Sequence, residues 1–253
     1  MTNILFAVLA LLISTQCLGA NISLNEDERI VIAGEIKVGD YNKLIKFLKK
    51  DNLQFFLDSA VILNSPGGDI PETLKIANLM NKSHVTTAIK YGGSCFSSCF
   101  LLWAAGSKRL LNYESQLGVH PLDQSEWEYD ETFPEERITK ISKNAEAFLT
   151  KVGVPSSIIN KMNQKPTYDY LIIDSDFLEK EGLGNTLYYQ PNFLKAVEIK
   201  CGKAPSHKNP TNKTENDEPL VKDEEWDRCS RKVKKMIQSQ SKTEISKLMF
   251  LSK

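Results

Sequence analysis

The sequence predicts an α/β protein: a helix-covered, mostly parallel sheet with a helical tail behind it. Three observations lead there. Short runs rich in β-branched residues alternate with stretches whose apolar residues recur at helical spacing. The apolar runs are continuous, as in strands buried on both faces. A last helical segment is set apart by a polar stretch containing Lys, Asn, Pro and Thr.

Taken in order, Arg29 to Ala33 (RIVIA) and Ala60 to Leu63 (AVIL) read as buried strands. Between them lies a helix whose Leu44, Ile45 and Leu48 share a face, which makes a βαβ unit. After a turn at Ser65 to Gly68, Ile70 to Met80 reads as a helix and His84 to Lys90 as a strand. Ser97 to Ala105 reads as a helix stopped by Gly106, and strands around Arg109 to Leu111 and Gln116 to Val119 lead to His120. Pro121 to Pro134 is acidic and irregular: a lid or docking surface on one reading, a solvated loop on the other. Glu135 to Val152 resumes a helical pattern. Trp226, Cys229, Val233 and Ile237 fall at helical spacing, with acidic residues before them and basic residues after, an order that suits the helix dipole. One amphipathic helix cannot bury its face alone, so this tail should dock on the main domain or on a partner.

The predicted organisation is a signal peptide over residues 1–20, a main domain over 21–200, a polar linker over 201–220 and a C-terminal amphipathic helix over 221–253. The leader rests on the uninterrupted apolar run Ile4 to Ile13, followed by Ser14, Thr15 and Gln16 and by small residues at Gly19 and Ala20. A bilayer-spanning helix needs roughly 20 apolar residues, so no stable membrane span is expected after cleavage, which would fall after Gly19 or Ala20. The start MTN lacks the usual basic residue, and Gln16 before Cys17 departs from a lipoprotein site. The expected location is exported, periplasmic or secreted. A formal net charge of zero gives no general attraction to nucleic acid, so no nucleic-acid partner is expected.

Export leaves Cys95, Cys99, Cys201 and Cys229 in a compartment that permits disulfides. Of the alternative pairings, Cys95 with Cys99 and Cys201 with Cys229 join the cysteines closest in sequence. A zinc site is the competing idea, but Cys95 and Cys99 lack a second ligand pair at the usual spacing. No metal is expected.

The chemistry concentrates between Leu63 and Pro121, where LNSPGGDI is followed by GGSCFSSCFLLWAAGSKRLLNYESQLGVHP. Backbone amides in a glycine turn can hold an oxyanion, and a hydroxyl becomes a nucleophile when a base takes its proton. His207 lies in the polar linker and His84 opens a strand, which leaves His120 as the candidate base. Alone, a histidine at a strand end is a structural hydrogen-bonder, and Ser97 at a helix start is an ordinary N-cap. Their combination with the glycine turn makes a hydrolytic site.

The run SPGGDI, the glycine-rich turn, a serine opening an apolar helix that ends AAG, and a histidine after two short strands resemble the ClpP/crotonase fold of serine peptidases. CFSSC followed by LLWAAGSKR and LGVHP is similar to exported, ClpP-like bacterial proteins with a Cys-x-Ser-x-Cys motif. The resemblance spans roughly residues 28 to 190 and implies a repeated ββα/βαβ superhelical core. It implies Ser97 as nucleophile, His120 as general base, the amides of Gly68 and Ser98 as oxyanion donors, and Gly67 as the residue shaping the turn. Ser98 is the neighbouring alternative nucleophile. For the acid that orients the histidine, YDYLIIDSDFLEKEGLGN offers Asp169, Asp174 and Asp176; Asp169 comes first, and a Ser/His dyad without an acid stays open. The implied activity is serine-type peptide hydrolysis without a cofactor, on a peptide or protein substrate, by a homo-oligomer. Two other classes stay open: a catalytically silent binding or assembly protein of the cell envelope, and a crotonase-like acyl-CoA enzyme, which export argues against. A Cys/His peptidase using Cys95 or Cys99 is excluded if those cysteines are bonded.

Overall fold

The computed structural model describes residues 19–111, 114–121, 135–166, 169–183, 187–205 and 221–251. Most of the expected leader, the acidic stretch after Pro121 and most of the expected linker, His207 included, lie outside the described residues.

The main sheet contains β1 (Asn21–Leu24), β2 (Ile30–Ala33), β3 (Ala60–Asn64), β4 (Thr86–Ile89) and β6 (Lys108–Leu110), in the order β1-β2-β3-β4-β6. The β1–β2 pair is antiparallel and the other three pairs are parallel. A second sheet, in the order β5-β7-β8, contains β5 (Ser94–Phe96), β7 (Gln116–Val119) and β8 (Leu171–Ile172). This is the helix-covered, mostly parallel α/β architecture that the alternating pattern predicts. Strands β1, β5 and β8 were not expected. The three residues of β5 lie between Gly93 and a serine pair and read locally as turn and helix start; pairing with β7 decides otherwise.

The helices that the pattern predicts fall close to their expected places, and helices over Leu53–Asp58, Ser156–Asn163, Ser175–Lys180 and Pro191–Cys201 were not expected. Helix α1 (Asp40–Phe47) buries Leu44 and Ile45, and a kink at Lys50 and Asp51 leads into α2 (Leu53–Asp58). Helix α3 (Ile70–Lys82) starts at Asp69, whose side chain accepts the Glu72 amide at 2.6 Å, with Pro71 in the first turn where its missing N–H costs nothing. Glu72 in turn accepts the amides of Gly39 at 3.0 Å and Tyr41 at 2.8 Å, so α3 caps the start of α1. Helix α4 (Cys99–Ala104) is buried on every side, which explains its unbroken apolar sequence. Helices α5 (Glu135–Lys151), α6 (Ser156–Asn163), α7 (Ser175–Lys180) and α8 (Pro191–Cys201) follow, and the last is α9 (Val221–Leu251).

Arg109 is fully buried and donates to the carbonyls of Ala104 at 3.0 Å, Leu187 at 2.9 Å and Val152 at 2.6 Å. One guanidinium thus ties the end of α4 to two distant segments, and burial pulls its pKa down to about 9. The tail helix docks on the main domain. Trp226 is buried edge-on against Tyr189 and donates to the Gly202 carbonyl at 3.0 Å. The Gln238 amide donates to the Leu57 carbonyl at 3.0 Å and to the Ser83 carbonyl at 2.9 Å, and Lys108 pairs with Asp227 at 2.7 Å. A Cys201–Cys229 disulfide joins α8 to α9. Among the described residues, no helix is long and apolar enough to cross a membrane.

Candidate active site

The site follows from where three strands end. The chain leaving β3 runs beside β5: the Ser65 amide donates to the Ser94 carbonyl at 2.9 Å, and the Phe96 amide to the Ser65 carbonyl at 3.0 Å. Strand β5 pairs in parallel with β7, Phe96 opposite Gly118. Parallel neighbours finish at the same edge, so the residues just past their ends meet there. Those residues are the glycine loop after β3, Ser97 after β5 and His120 after β7.

Ser97 Oγ lies 2.8 Å from His120 Nε2, and both side chains are buried. This is the range in which an imidazole can take a hydroxyl proton. Ser97 has φ 54°, a left-handed backbone that side chains seldom adopt. The turn is held by two hydrogen bonds: the Ser97 amide donates to the Gly118 carbonyl at 3.1 Å, and the Phe100 amide to the Ser97 carbonyl at 3.0 Å. A Cys95–Cys99 disulfide spans the turn, with Cα atoms 5.3 Å apart and both cysteines buried. With its sulfurs joined, neither cysteine offers a thiolate, which closes the Cys/His alternative and the zinc reading of this pair.

The glycine loop is built against the same turn. Gly67 has φ 104° and Gly68 φ 134°. A Cβ on Gly67 would lie 2.8 Å from Ser97 Cβ, and one on Gly68 would lie 2.1 Å from the Ile36 carbonyl oxygen, so only glycine fits at either place. The Ile36 amide donates to the Gly67 carbonyl at 2.7 Å, and the Asp69 amide to the Ile36 carbonyl at 2.8 Å. In a trans peptide the N–H opposes the C=O, so the first of these bonds turns the Gly68 N–H away from Ile36 and the second turns the Gly68 carbonyl away from it. Among the described residues, neither the Gly68 nor the Ser98 amide donates a hydrogen bond.

Ser98 is employed elsewhere than the base. Its hydroxyl donates to the Gly68 carbonyl at 3.1 Å and lies 3.2 Å from Thr73 Oγ1. Thr73 donates to the Asp69 carbonyl at 2.7 Å. Thr73 was not legible as a site residue, because its position on α3 carries no signal until the turn is placed against that helix.

The structure does not bring Asp169 to His120. Asp169 is exposed and accepts from Lys165, four residues earlier, at 2.7 Å, and that ammonium holds its carboxyl below the usual carboxylate range. Asp174 accepts the Phe177 amide at 2.8 Å, starting α7, and Asp176 is exposed. His120 Nδ1 is buried and has no hydrogen-bond partner among the described residues. The residue of this segment that reaches the imidazole is Tyr170, edge-on with ring centroids 5.1 Å apart, and it packs against Phe96 at 5.0 Å as well. Asp169 closes a turn, its amide donating to the Pro166 carbonyl at 3.0 Å, and its carboxylate stays with Lys165 while the next residue, Tyr170, meets the histidine.

A sequence model of the Clp protease family matches residues 15–161, more than half of the chain and all of the strand ends just described. Comparison with curated proteins finds no match. Solved structures similar to the chain include a point mutant of ClpP1 from Listeria monocytogenes, with TM-score 0.47 and 18% identity, covering 62% of this chain and 89% of that one. Another is the ClpP protease catalytic domain from Plasmodium falciparum, with TM-score 0.46 and 20% identity, covering 60% of this chain and 80% of that one. On the family match, the chain belongs to the Clp protease family, whose kind of function is serine-type peptide hydrolysis.

Proposed function

We propose that this chain is an exported serine peptidase that works through a Ser97–His120 pair. The observation that carries the reading is the 2.8 Å approach of Ser97 Oγ to His120 Nε2, beside two amides that donate to no group among the described residues. His120 Nε2 takes the Ser97 proton as Oγ attacks the peptide carbonyl. The Gly68 and Ser98 amides hold the developing oxyanion, and His120 returns the proton to the leaving amine. Water, deprotonated by the same nitrogen, then hydrolyses the acyl-enzyme. Among the described residues, no carboxylate bonds the His120 imidazole. Tyr170 keeps the imidazole in place by packing, as a positioning residue.

Ser97's left-handed backbone, bridged by a disulfide and faced by two obligatory glycines, supports catalysis over a silent binding role, since such strain persists at sites where geometry matters. Export is supported by the apolar Ile4 to Ile13 run and by two disulfides. Peptides or proteins are the substrate class, and homo-oligomer formation is checked by sedimentation of the purified chain. The reading is tested with Ser97→Ala and a panel of fluorogenic peptides. Turnover by the wild-type protein should fall by about 10³-fold or more in the variant. Equal turnover by both removes Ser97 from its role.

A further inference from the structure

Asp40 stands in the first turn of α1 with 4% of its surface exposed. Its Oδ2 accepts the Lys37 amide at 2.8 Å and the Ala20 amide at 2.8 Å. No cationic side chain forms an ion pair with it among the described residues. Buried carboxylates are ordinarily paired with a cation. Lys43, on the same helix, sends its ammonium to the Ala20 carbonyl instead.

The missing cation is one bond away. Ala20 is fully buried at the entrance to β1, and its nitrogen is the atom that touches Asp40. Gly19 lies against the same carboxylate: a Cβ there would fall 2.5 Å from Oδ1. Cys17 and Gly19, third and first before the Gly19–Ala20 bond, are the small residues a signal peptidase requires, whereas a cut after Ala20 would put Leu18 in the third place and discard the atom that Asp40 binds.

We infer that Gly19–Ala20 is the bond cleaved on export, and that Asp40 is the receptor for the new α-ammonium of Ala20. The inference rests on the export reading. Hydrolysis adds one water across the bond; the carboxylate leaves with Met1 to Gly19, and the protonated amine stays on Ala20, facing Asp40. Because Ala20 is buried in the folded chain, the cut precedes folding, and the ion pair forms as β1 docks. Processing then supplies the charge that makes burial of Asp40 favourable. The other charged and titratable groups near this pair are Lys43 and Tyr41 on α1, Lys37 and Glu35 before it, and Glu72 of α3.

The test expresses the full chain in a Gram-negative host and sequences the amino terminus of the protein from each cell fraction. Periplasmic protein should begin Ala-Asn-Ile-Ser. Periplasmic protein beginning at any other residue overturns the inference and leaves export intact; cytoplasmic protein that keeps Met1 to Gly19 overturns both. The second readout is acylation of the α-amine at pH 8, near its ordinary pKa of about 7.7–8.0. Pairing raises that pKa, so the amine of the processed protein should react about tenfold more slowly than in a reference peptide of the same first four residues, and Asp40→Asn should restore the rate. A raised folded-state pKa stabilises the fold at pH below the ordinary value and stops doing so as pH climbs through the raised one. An amine in the wild-type protein that reacts at the peptide's rate overturns the pairing.

Discussion

The two disulfides work on different scales. Cys95–Cys99 closes a sequence separation of 4 around Ser97, whereas Cys201–Cys229 closes one of 28 between α8 and α9. Loop-closure entropy grows with the logarithm of loop length, so in the chain-entropy account the short bridge is worth about 2 kcal/mol and the long one about 3.5 kcal/mol. Location reverses the ranking. The short bridge spans a serine at φ 54°, a conformation costing on the order of 1–2 kcal/mol that the surrounding bonds must impose. The long bridge fastens a tail already anchored by Trp226, Asp227 and Gln238. One region spends its constraints on the geometry of a single turn; the other spends them on keeping the fold closed.

The largest effect on stability should come from the tail. Replacing Cys201 and Cys229 together with serine should lower the unfolding free energy by about 3–4 kcal/mol in urea titration. Peptide turnover by the folded protein should stay within about twofold. A large loss of turnover in the absence of urea would break the separation of roles.

The tail also buries a charge. Lys234 donates to Thr86 Oγ1 at 3.2 Å, and burial lowers its pKa to about 8. Its folded pKa lies below its unfolded one, so between about pH 8 and pH 10 the unfolded chain binds the extra proton and stability rises with pH. Measured as the difference between the wild type and Lys234→Met, the gain between pH 7 and pH 10 should reach roughly 2–3 kcal/mol. A difference that is flat with pH contradicts the buried placement.

The smallest change in stability should accompany a large change in activity. Replacing Cys95 and Cys99 with serine should cost about 2 kcal/mol, yet lower kcat/KM by about 10- to 100-fold, because ångström-scale misplacement of a reacting group is expensive. Unaltered kcat/KM would mean that the turn keeps its geometry unaided.

The same contrast explains what was legible in the sequence. Ser65 to Gly68, the Asp69-capped α3 and the apolar helix after Ser97 were readable because propensity, capping and backbone freedom point one way. His120 was singled out by setting aside His84 and His207, and Ser97 by opening an apolar helix after the glycine turn; that the two meet depends on the parallel pairing of β5 with β7, which the sequence did not show. Strand β5 was hidden, since three residues between a glycine turn and a serine pair take their state from a partner strand. Asp169 misled for a related reason: Lys165 four residues earlier takes its carboxylate, and the contact of the next residue, Tyr170, with the imidazole is set by tertiary packing. Arg109 was read as one residue of a strand, though its side chain is a buried clasp on three carbonyls.

In the proposed mechanism His120 activates the Ser97 hydroxyl. Its most direct test is to treat the wild-type protein and His120→Ala with a fluorophosphonate and locate the adduct by peptide mass mapping. A single adduct on Ser97 should form in the wild type, and at least about 10³-fold more slowly in His120→Ala. An adduct on Ser98, or one on Ser97 that forms equally fast without the imidazole, contradicts it.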